Sequence, residues 1–161
     1  MKIKIFTLVS EIQNFSDEVR REGKSIGLVP TMGFLHQGHL SLVQECKNQC
    51  DITVVSIFVN PTQFAPNEDL STYPRDFERD KKLLEENNVD VIFYPSVDEI
   101  YSYNFQTYVE NNRISKILEG EFRPTHFRGV ATIVTILFNC VKPHKAFSVR
   151  KIFSKPQLFN K

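Results

Sequence analysis

Apolar residues in this chain gather into short unbroken runs, and between the runs they return every three or four positions among charged ones. Ser25 to Pro30 (SIGLVP) is a short run and Ile52 to Val59 (ITVVSIFV) a longer one rich in β-branched residues. Both read as strands of a parallel sheet buried on its two faces. Between them Leu40, Leu42, Val43 and Cys46 fall near a helical period among Gln44, Glu45 and Lys47, which predicts an amphipathic helix crossing over the sheet. Strand, helix, strand in that order predicts a right-handed crossover unit. The pattern repeats: Asp76 to Asn88 (DFERDKKLLEENN) reads as a charged helix with Phe77, Leu83 and Leu84 inward, and Val89 to Tyr94 (VDVIFY) as a third strand. Arg113 to Glu119 reads as a short helix. Val130 to Val141 (VATIVTILFNCV) is apolar enough for a buried helix or a long strand, and periodicity leaves both open. The stretches before Ser25 and after Asn104 are ambiguous. The expectation is an α/β fold built on a parallel sheet.

A length of 161 residues, 41% of them hydrophobic, suits one core, and no repeat or low-complexity linker divides residues 1 to 145. The formal net charge of +1 supplies no global field to recruit nucleic acid or an anionic membrane surface, so partners must be read from a local site. No apolar run approaches the roughly 20 residues that span a bilayer. The start, MKIKIFTLVSEIQNF, reaches acidic Glu11 before any cleavage-like site, so the expected location is the cytoplasm. Three cysteines, an odd and small number, suit reduced thiols. Cys46 and Cys50 stand four apart, as half of a metal site or as two thiols packed on a helix, with no second close Cys or His pair to complete a zinc pattern.

The densest chemical signal is Pro30-Thr31-Met32-Gly33-Phe34-Leu35-His36-Gln37-Gly38-His39, where the first of these strands gives way to a helix. Gly33 permits a tight turn, and Gly38 permits close approach of a ligand to the backbone. Free amide hydrogens and the positive end of the helix dipole attract anionic oxygens, so the place suits phosphate. Two histidines three apart can share a helical face and aim at one phosphate chain, stabilising charge that develops during in-line displacement. From the residues alone, an incidental pair or a metal pair stays open beside the phosphate reading.

The stretch HQGH preceded by PTMG resembles the HIGH signature of the nucleotidyltransferase superfamily. The longer pattern PTMGxLHxGHxxL resembles the pantothenate synthetase (pantoate–β-alanine ligase) family, and Ser56 to Phe64 (SIFVNPTQF) resembles that family's second block. The likeness continues through Tyr73-Pro74-Arg75, Tyr94-Pro95-Ser96, Ile100-Tyr101 and Arg123 to Val130 (RPTHFRGV), covering about Lys24 to Phe147. It implies a Rossmann-like, doubly wound parallel sheet. It implies an ATP site lined by Met32, Gly33, Phe34, Leu35, His36, Gln37, Gly38 and His39, with His39 as proton donor and His36 as its catalytic partner. Gln63 would hold pantoate and contact β-alanine; without the resemblance it is a loop glutamine past a strand end. Asn60 caps or braces that loop, and for Arg123, His126 and Arg128 a surface loop remains the alternative. The implied reaction joins pantoate to β-alanine through a pantoyl adenylate, with Mg²⁺ on the phosphates, in a homodimer, with no role for nucleic acid or membrane.

After Phe147 the family pattern calls for FGEKDxQQ, a lysine-bearing phosphate loop, then a serine- and arginine-containing loop and a C-terminal domain. The chain reads Ser148-Val149-Arg150-Lys151-Ile152 and on to Lys161, with four basic residues and no acidic one. The expected division is therefore a Rossmann-like ATP- and pantoate-binding domain over 1–147 and an aberrant tail over 148–161, the C-terminal domain being missing. Loss of even one electrostatic contact to a transferring phosphate costs about 10²- to 10³-fold in rate, so the chain is expected to be nearly inactive. Two other readings stand beside the ligase: a cytidylyltransferase-like enzyme, which Gln63 in NPTQF argues against, and a catalytically dead nucleotide-binding fragment, which the tail argues for. Codons can be written for Phe147 onward such that restoring one T yields FFGEKDFQQTAIVQQ, so the expected origin of the tail is a one-base frameshift. Sequencing the gene across the codons for Phe147 and Ser148 is expected to show a run of T one base short; codons incompatible with that restoration rule it out.

Overall fold

A computed structural model describes residues 2–64, 70–110 and 126–148. Five strands form one all-parallel sheet in the order β1-β4-β3-β2-β5, where β1 is Lys4–Phe6, β2 Ile26–Thr31, β3 Ile52–Ile57, β4 Val91–Phe93 and β5 Lys145–Ala146. The helices between them are α1 (Val9–Arg21), α2 (Gln37–Gln49), α3 (Phe77–Glu86), α4 (Val97–Ile100) and α5 (His126–Val141), with short 3₁₀ turns at Pro61–Gln63 and Leu70–Thr72. Among the described residues, no helix is long and apolar enough to cross a membrane.

The unbroken apolar runs are explained by burial on both faces. Successive side chains of a strand point to opposite sides. Ile26, Leu28 and Val54 join Ile12 and Val19 of α1 and Ile133, Leu137 and Cys140 of α5 in one core. Val29 and Val55, their neighbours, join Val43 and Cys46 of α2 and Leu84 of α3 in the other. A doubly covered parallel sheet follows, as the runs predict.

Boundaries shift where the local chemistry changes. β3 ends at Ile57, two residues before the apolar run does, because the chain turns into the Asn60-Pro61 loop. The apolar stretch at Val130 to Val141 is a helix, entered already at His126. Its buried positions Gly129, Thr132, Ile133, Leu137 and Cys140 recur at helical spacing and leave Thr135 and Phe138 exposed. The ambiguous start of the chain supplies β1 and α1. The expected helix at Arg113 to Glu119, Arg123 and the tail from Val149 lie outside the described residues.

The longest pairing is β2 on β3, six residues in register from Ile26↔Ile52 to Thr31↔Ile57. Thus the loops leaving both strands emerge side by side at the carboxyl edge of the sheet, where open α/β folds bind ligands. β5 flanks β2 on the other side, with Gly27↔Lys145 and Leu28↔Ala146 paired. The His144 imidazole prolongs this ladder, its Nδ1 accepting from the Ile26 N–H at 2.9 Å while the His144 N–H donates to the Ile26 carbonyl at 2.8 Å.

Gly27 sets the distance between sheet and α2. A Cβ there would overlap the Cys46 sulfur and come within 2.9 Å of the Cys50 sulfur. Gly27→Ala is therefore expected to lower unfolding stability by about 1–3 kcal/mol in urea titration, as overpacking of a filled core does. Adding Cys46→Ala should recover part of the loss, whereas no recovery would place the strain elsewhere.

Candidate active site

The turn that leaves β2 is built from three polar anchors. The buried Thr31 hydroxyl donates to the Ser56 carbonyl at 2.7 Å and accepts from the Gly33 N–H at 3.2 Å. Gly33 and Phe34 then both take left-handed backbone, φ 82° and 51°. For Gly33 this is free of strain, whereas Phe34 pays on the order of 1–2 kcal/mol for it. The third anchor is Asp80 of α3, 1% exposed, whose carboxylate accepts from the Phe34 N–H at 2.7 Å and the Leu35 N–H at 2.8 Å. Arg79 secures both: it pairs with Asp80 at 3.4 Å, donates to the Leu35 carbonyl at 3.0 Å, and places its guanidinium 5.0 Å from the Phe34 ring centre.

The two histidines follow. His36 does not lie on a helical face: with φ −136° and ψ 176° it is the N-cap of α2, and His39 is the third helical residue. They form a capping box of imidazoles. The His36 Nδ1 accepts from the Gly38 N–H at 3.0 Å, and the His39 Nδ1 accepts from the His36 N–H at 3.3 Å. Because each Nδ1 is an acceptor, each neutral ring carries its proton on Nε2. The ring centres stand 4.1 Å apart. Burial, and next the neighbouring His36, hold the His39 imidazole below its ordinary value of 6.5, against a smaller opposing pull from Asp80.

This arrangement changes the basis on which the turn suits phosphate. The amides of Gly33, Phe34, Leu35, His36 and Gly38 all donate to protein acceptors, so they do not form a cradle of free N–H groups. The donors that remain include the two Nε2–H groups. Gly38 has a different purpose from the one its position suggests: a Cβ there would press on the His36 ring, 2.9 Å from Cε1, so the glycine makes room for an imidazole.

The loop leaving β3 is organised by Asn60, fully buried. Its Oδ1 accepts from the Thr62 N–H at 3.3 Å, the Thr62 hydroxyl at 3.0 Å and the Tyr101 hydroxyl at 2.8 Å. Its Nδ2 donates to the Gln63 Oε1 at 3.0 Å and to the Gly129 carbonyl at 3.1 Å. Asn60 thus both caps and braces the loop, and it fixes which end of the Gln63 amide faces it. Burial raises the Tyr101 phenol, which stays a neutral donor. Gly129 admits this loop against α5, since a Cβ there would overlap the Thr62 carbonyl; His126 Nδ1 lies 3.1 Å from the Gln63 carbonyl.

At the carboxyl edge of β1, β2, β3 and β4 a cavity of about 390 Å³ is lined by Met32, Gly33, Phe58, Arg75, Tyr94 and Ser96, among others. Met32 and Gly33 open onto it, Leu35 is buried beneath the turn, and Phe34, His36, Gln37 and Gly38 are exposed. Arg128 is turned to the Tyr108 ring, 4.8 Å from its centre. Among the described residues, no three His, Cys, Asp or Glu side chains gather as metal ligands. Burial pushes the Cys46 thiol up to about 11 and raises Cys50 too, which marks both as packing thiols. Asp80 and Arg79 lie outside every motif, and Thr62 and Tyr101 lie within matched stretches that assign them no role. Asp80 alone leaves a trace, as a charged residue between Phe77 and Leu84 on the inward stripe of its helix.

The family model described as pantoate-beta-alanine ligase matches residues 4–159. The pantothenate synthetase of Thermotoga petrophila is 60% identical over 149 residues, 92% of this chain and 53% of that protein. That of Sulfurihydrogenibium is 54% identical over 95% of this chain and 55% of its own length. The crystal structure of pantothenate synthetase from Thermus thermophilus superposes with TM-score 0.82 at 44% identity, covering 89% of this chain and 51% of that one. Pantoate-beta-alanine ligase from Francisella tularensis, complexed with beta-gamma ATP and beta-alanine, gives 0.83 at 40% identity. The chain spans about half the length of the curated relatives it matches.

Burial holds the His39 imidazole below its ordinary value. Its neutral ring is favoured in the folded chain, so stability from this group is complete above 6.5 and is lost as pH falls from there through the lowered folded value. Imidazole resonances followed by NMR are expected to give His39 a midpoint below 6.5; a midpoint at or above it contradicts the assigned environment.

Proposed function

Because this chain belongs to the pantoate-beta-alanine ligase family, we infer that it forms the part of such a ligase that binds ATP, pantoate and β-alanine for the synthesis of pantothenate in the cytoplasm. The observation that carries this reading is the imidazole capping box beside the Asn60-braced loop, both at one edge of the sheet. The triphosphate lies over the start of α2 along Met32 to His39. Nε2–H of His39 and His36 donates to phosphate oxygens as charge builds on them, while the α2 dipole adds its positive end. Gln63 orients pantoate and then β-alanine through its amide, held in one orientation by Asn60.

The reaction runs in two steps. The pantoate carboxylate attacks the α-phosphorus of ATP in line, giving pantoyl adenylate and pyrophosphate; the amine of β-alanine then attacks the acyl carbon and AMP leaves. No protein nucleophile is required. Asp80 is taken up by two amides and Arg79, so the donor set present fits Mg²⁺ held by the nucleotide's own oxygens, where it would neutralise phosphate charge. A homodimer is the assembly that the resemblance implies.

Nucleotide binding without turnover is a second reading. It is favoured by the sequence after Phe147, where Ser148-Val149-Arg150-Lys151 stands in place of the lysine-bearing FGEKD loop. The experiment is ATP calorimetry on this chain, together with β-alanine-dependent AMP formation, beside a version in which FGEKDxQQ and a C-terminal domain follow. ATP binding is expected in both and β-alanine-dependent AMP only in the second, and His39→Ala should lower that rate by about 10²-fold. Failure of this chain to bind ATP would overturn the nucleotide reading.

A further inference from the structure

Successive residues in a tight turn can aim their backbone N–H groups at a common point, a concavity that ordinarily captures an anion. After β2 those residues are Gly33 and Phe34, and the converging donors are the amides of Phe34 and Leu35. In this chain the anion is part of the protein: both amides donate to the Asp80 carboxylate, 46 and 45 residues further along. Asp80 is 1% exposed, and its charge is matched by those donors and by Arg79. Its position is fixed in turn by α3, whose N-cap Asp76 accepts from the Arg79 N–H at 3.0 Å and whose Leu84 is fully buried.

We propose that Asp80, secured by Arg79, is a positioning residue for the nucleotide site, occupying the amide concavity of the turn so that the turn delivers His36 to the N-cap of α2 and keeps both imidazoles in one tautomer. Phe34 is a phenylalanine in a conformation that its Cβ disfavours, so the turn needs an external hold. Leu35, the second residue held, directly precedes His36. A displacement at Leu35 therefore moves the N-cap, and with it the His36 amide on which the Nδ1 of His39 depends. By filling the concavity, Asp80 also excludes a phosphate from those amides, so an anion must find its donors further along, at the imidazoles and the start of α2. Asp80 does not touch the reacting groups in this scheme; it acts through the turn.

The inference deepens the ATP reading and rests on it for its consequence, while the clamp itself is tested without nucleotide. Asp80→Asn keeps the size of the side chain but replaces one acceptor with a donor facing an N–H. In the free chain, ¹⁵N imidazole signals of His36 and His39 are expected to move from the Nε2–H tautomer toward an average of both. The His39 midpoint is expected to fall further, because the Asp80 charge that favours its imidazolium is gone. ATP affinity by calorimetry should drop about tenfold, the scale of a small misplacement of positioned groups. Phe34→Gly in the Asp80→Asn background should restore most of the affinity and the single tautomer, since glycine takes φ 51° without strain. A purely structural Asp80 would show lower thermal stability with unchanged imidazole signals, and that result overturns the proposal, as does failure of Phe34→Gly to restore them. If Asp80→Asn does not fold, Arg79→Gln replaces it with the same readouts and the same direction expected. Absence of ATP binding in the unaltered chain removes the nucleotide reading alone, because the imidazole signals still decide the clamp.

Discussion

The register between β2 and β3 governs what this chain can do. Six residues pair in parallel, ending at Thr31↔Ile57, and the Thr31 hydroxyl closes the end of the ladder on the Ser56 carbonyl. Both strands point the same way, so the histidine turn and the Asn-Pro-Thr-Gln loop leave the sheet together. A slip by one residue would send the side chains of β2 to the wrong faces, since Leu28 belongs to the core under α1 and α5 and Val29 to the core under α2 and α3. The two hydrophobic cores thereby hold the pairing in place, and the pairing sets the separation of the two candidate binding loops.

Each loop is then stiffened by one buried polar side chain that ties it to a distant part of the chain. Asp80 takes two amides of the histidine turn. Asn60 takes the Thr62 amide, the Thr62 and Tyr101 hydroxyls, the Gln63 amide oxygen and the Gly129 carbonyl. Burying such groups is tolerable because they are satisfied, and the low local dielectric makes their bonds rigid as well as strong. Two glycines make room for the arrangement: Gly38 yields its space to an imidazole and Gly129 admits a loop backbone against α5. The candidate site is thus preorganised by groups that would touch no substrate.

Much of the architecture is legible in the pattern of apolar residues. The runs at Ser25 to Pro30 and Ile52 to Val59 and the periodic segments around Leu40 and Phe77 correspond to β2, β3, α2 and α3, because burial on one or two faces writes a local period into the sequence. The turn glycine, Gly33, is equally readable, since its left-handed backbone is a local demand. Strand ends were less so: β3 stops at Ile57 although its apolar run goes on to Val59, whose side chain is half-buried beyond the last paired residue. The stretch from Val130 could be strand or helix until α1 and β2 gave its buried stripe something to pack against.

The sequence by itself determined an α/β chain with a histidine pair at a strand-to-helix turn and a glutamine past the next strand, because motif and period are properties of neighbours. The tertiary structure decided how those residues are presented. Asp80 reaches the turn across 46 positions and Asn60 reaches Gly129 across 69, and no local pattern records contacts over such separations. Asp80 occupies two of the turn's amides, Thr31 and the histidine pair occupy three more, and the imidazole Nε2–H groups stay among its donors. Spacing in a sequence gives the inventory of chemical groups, whereas the direction in which each group can donate depends on which lone pair or N–H the folded chain has already used.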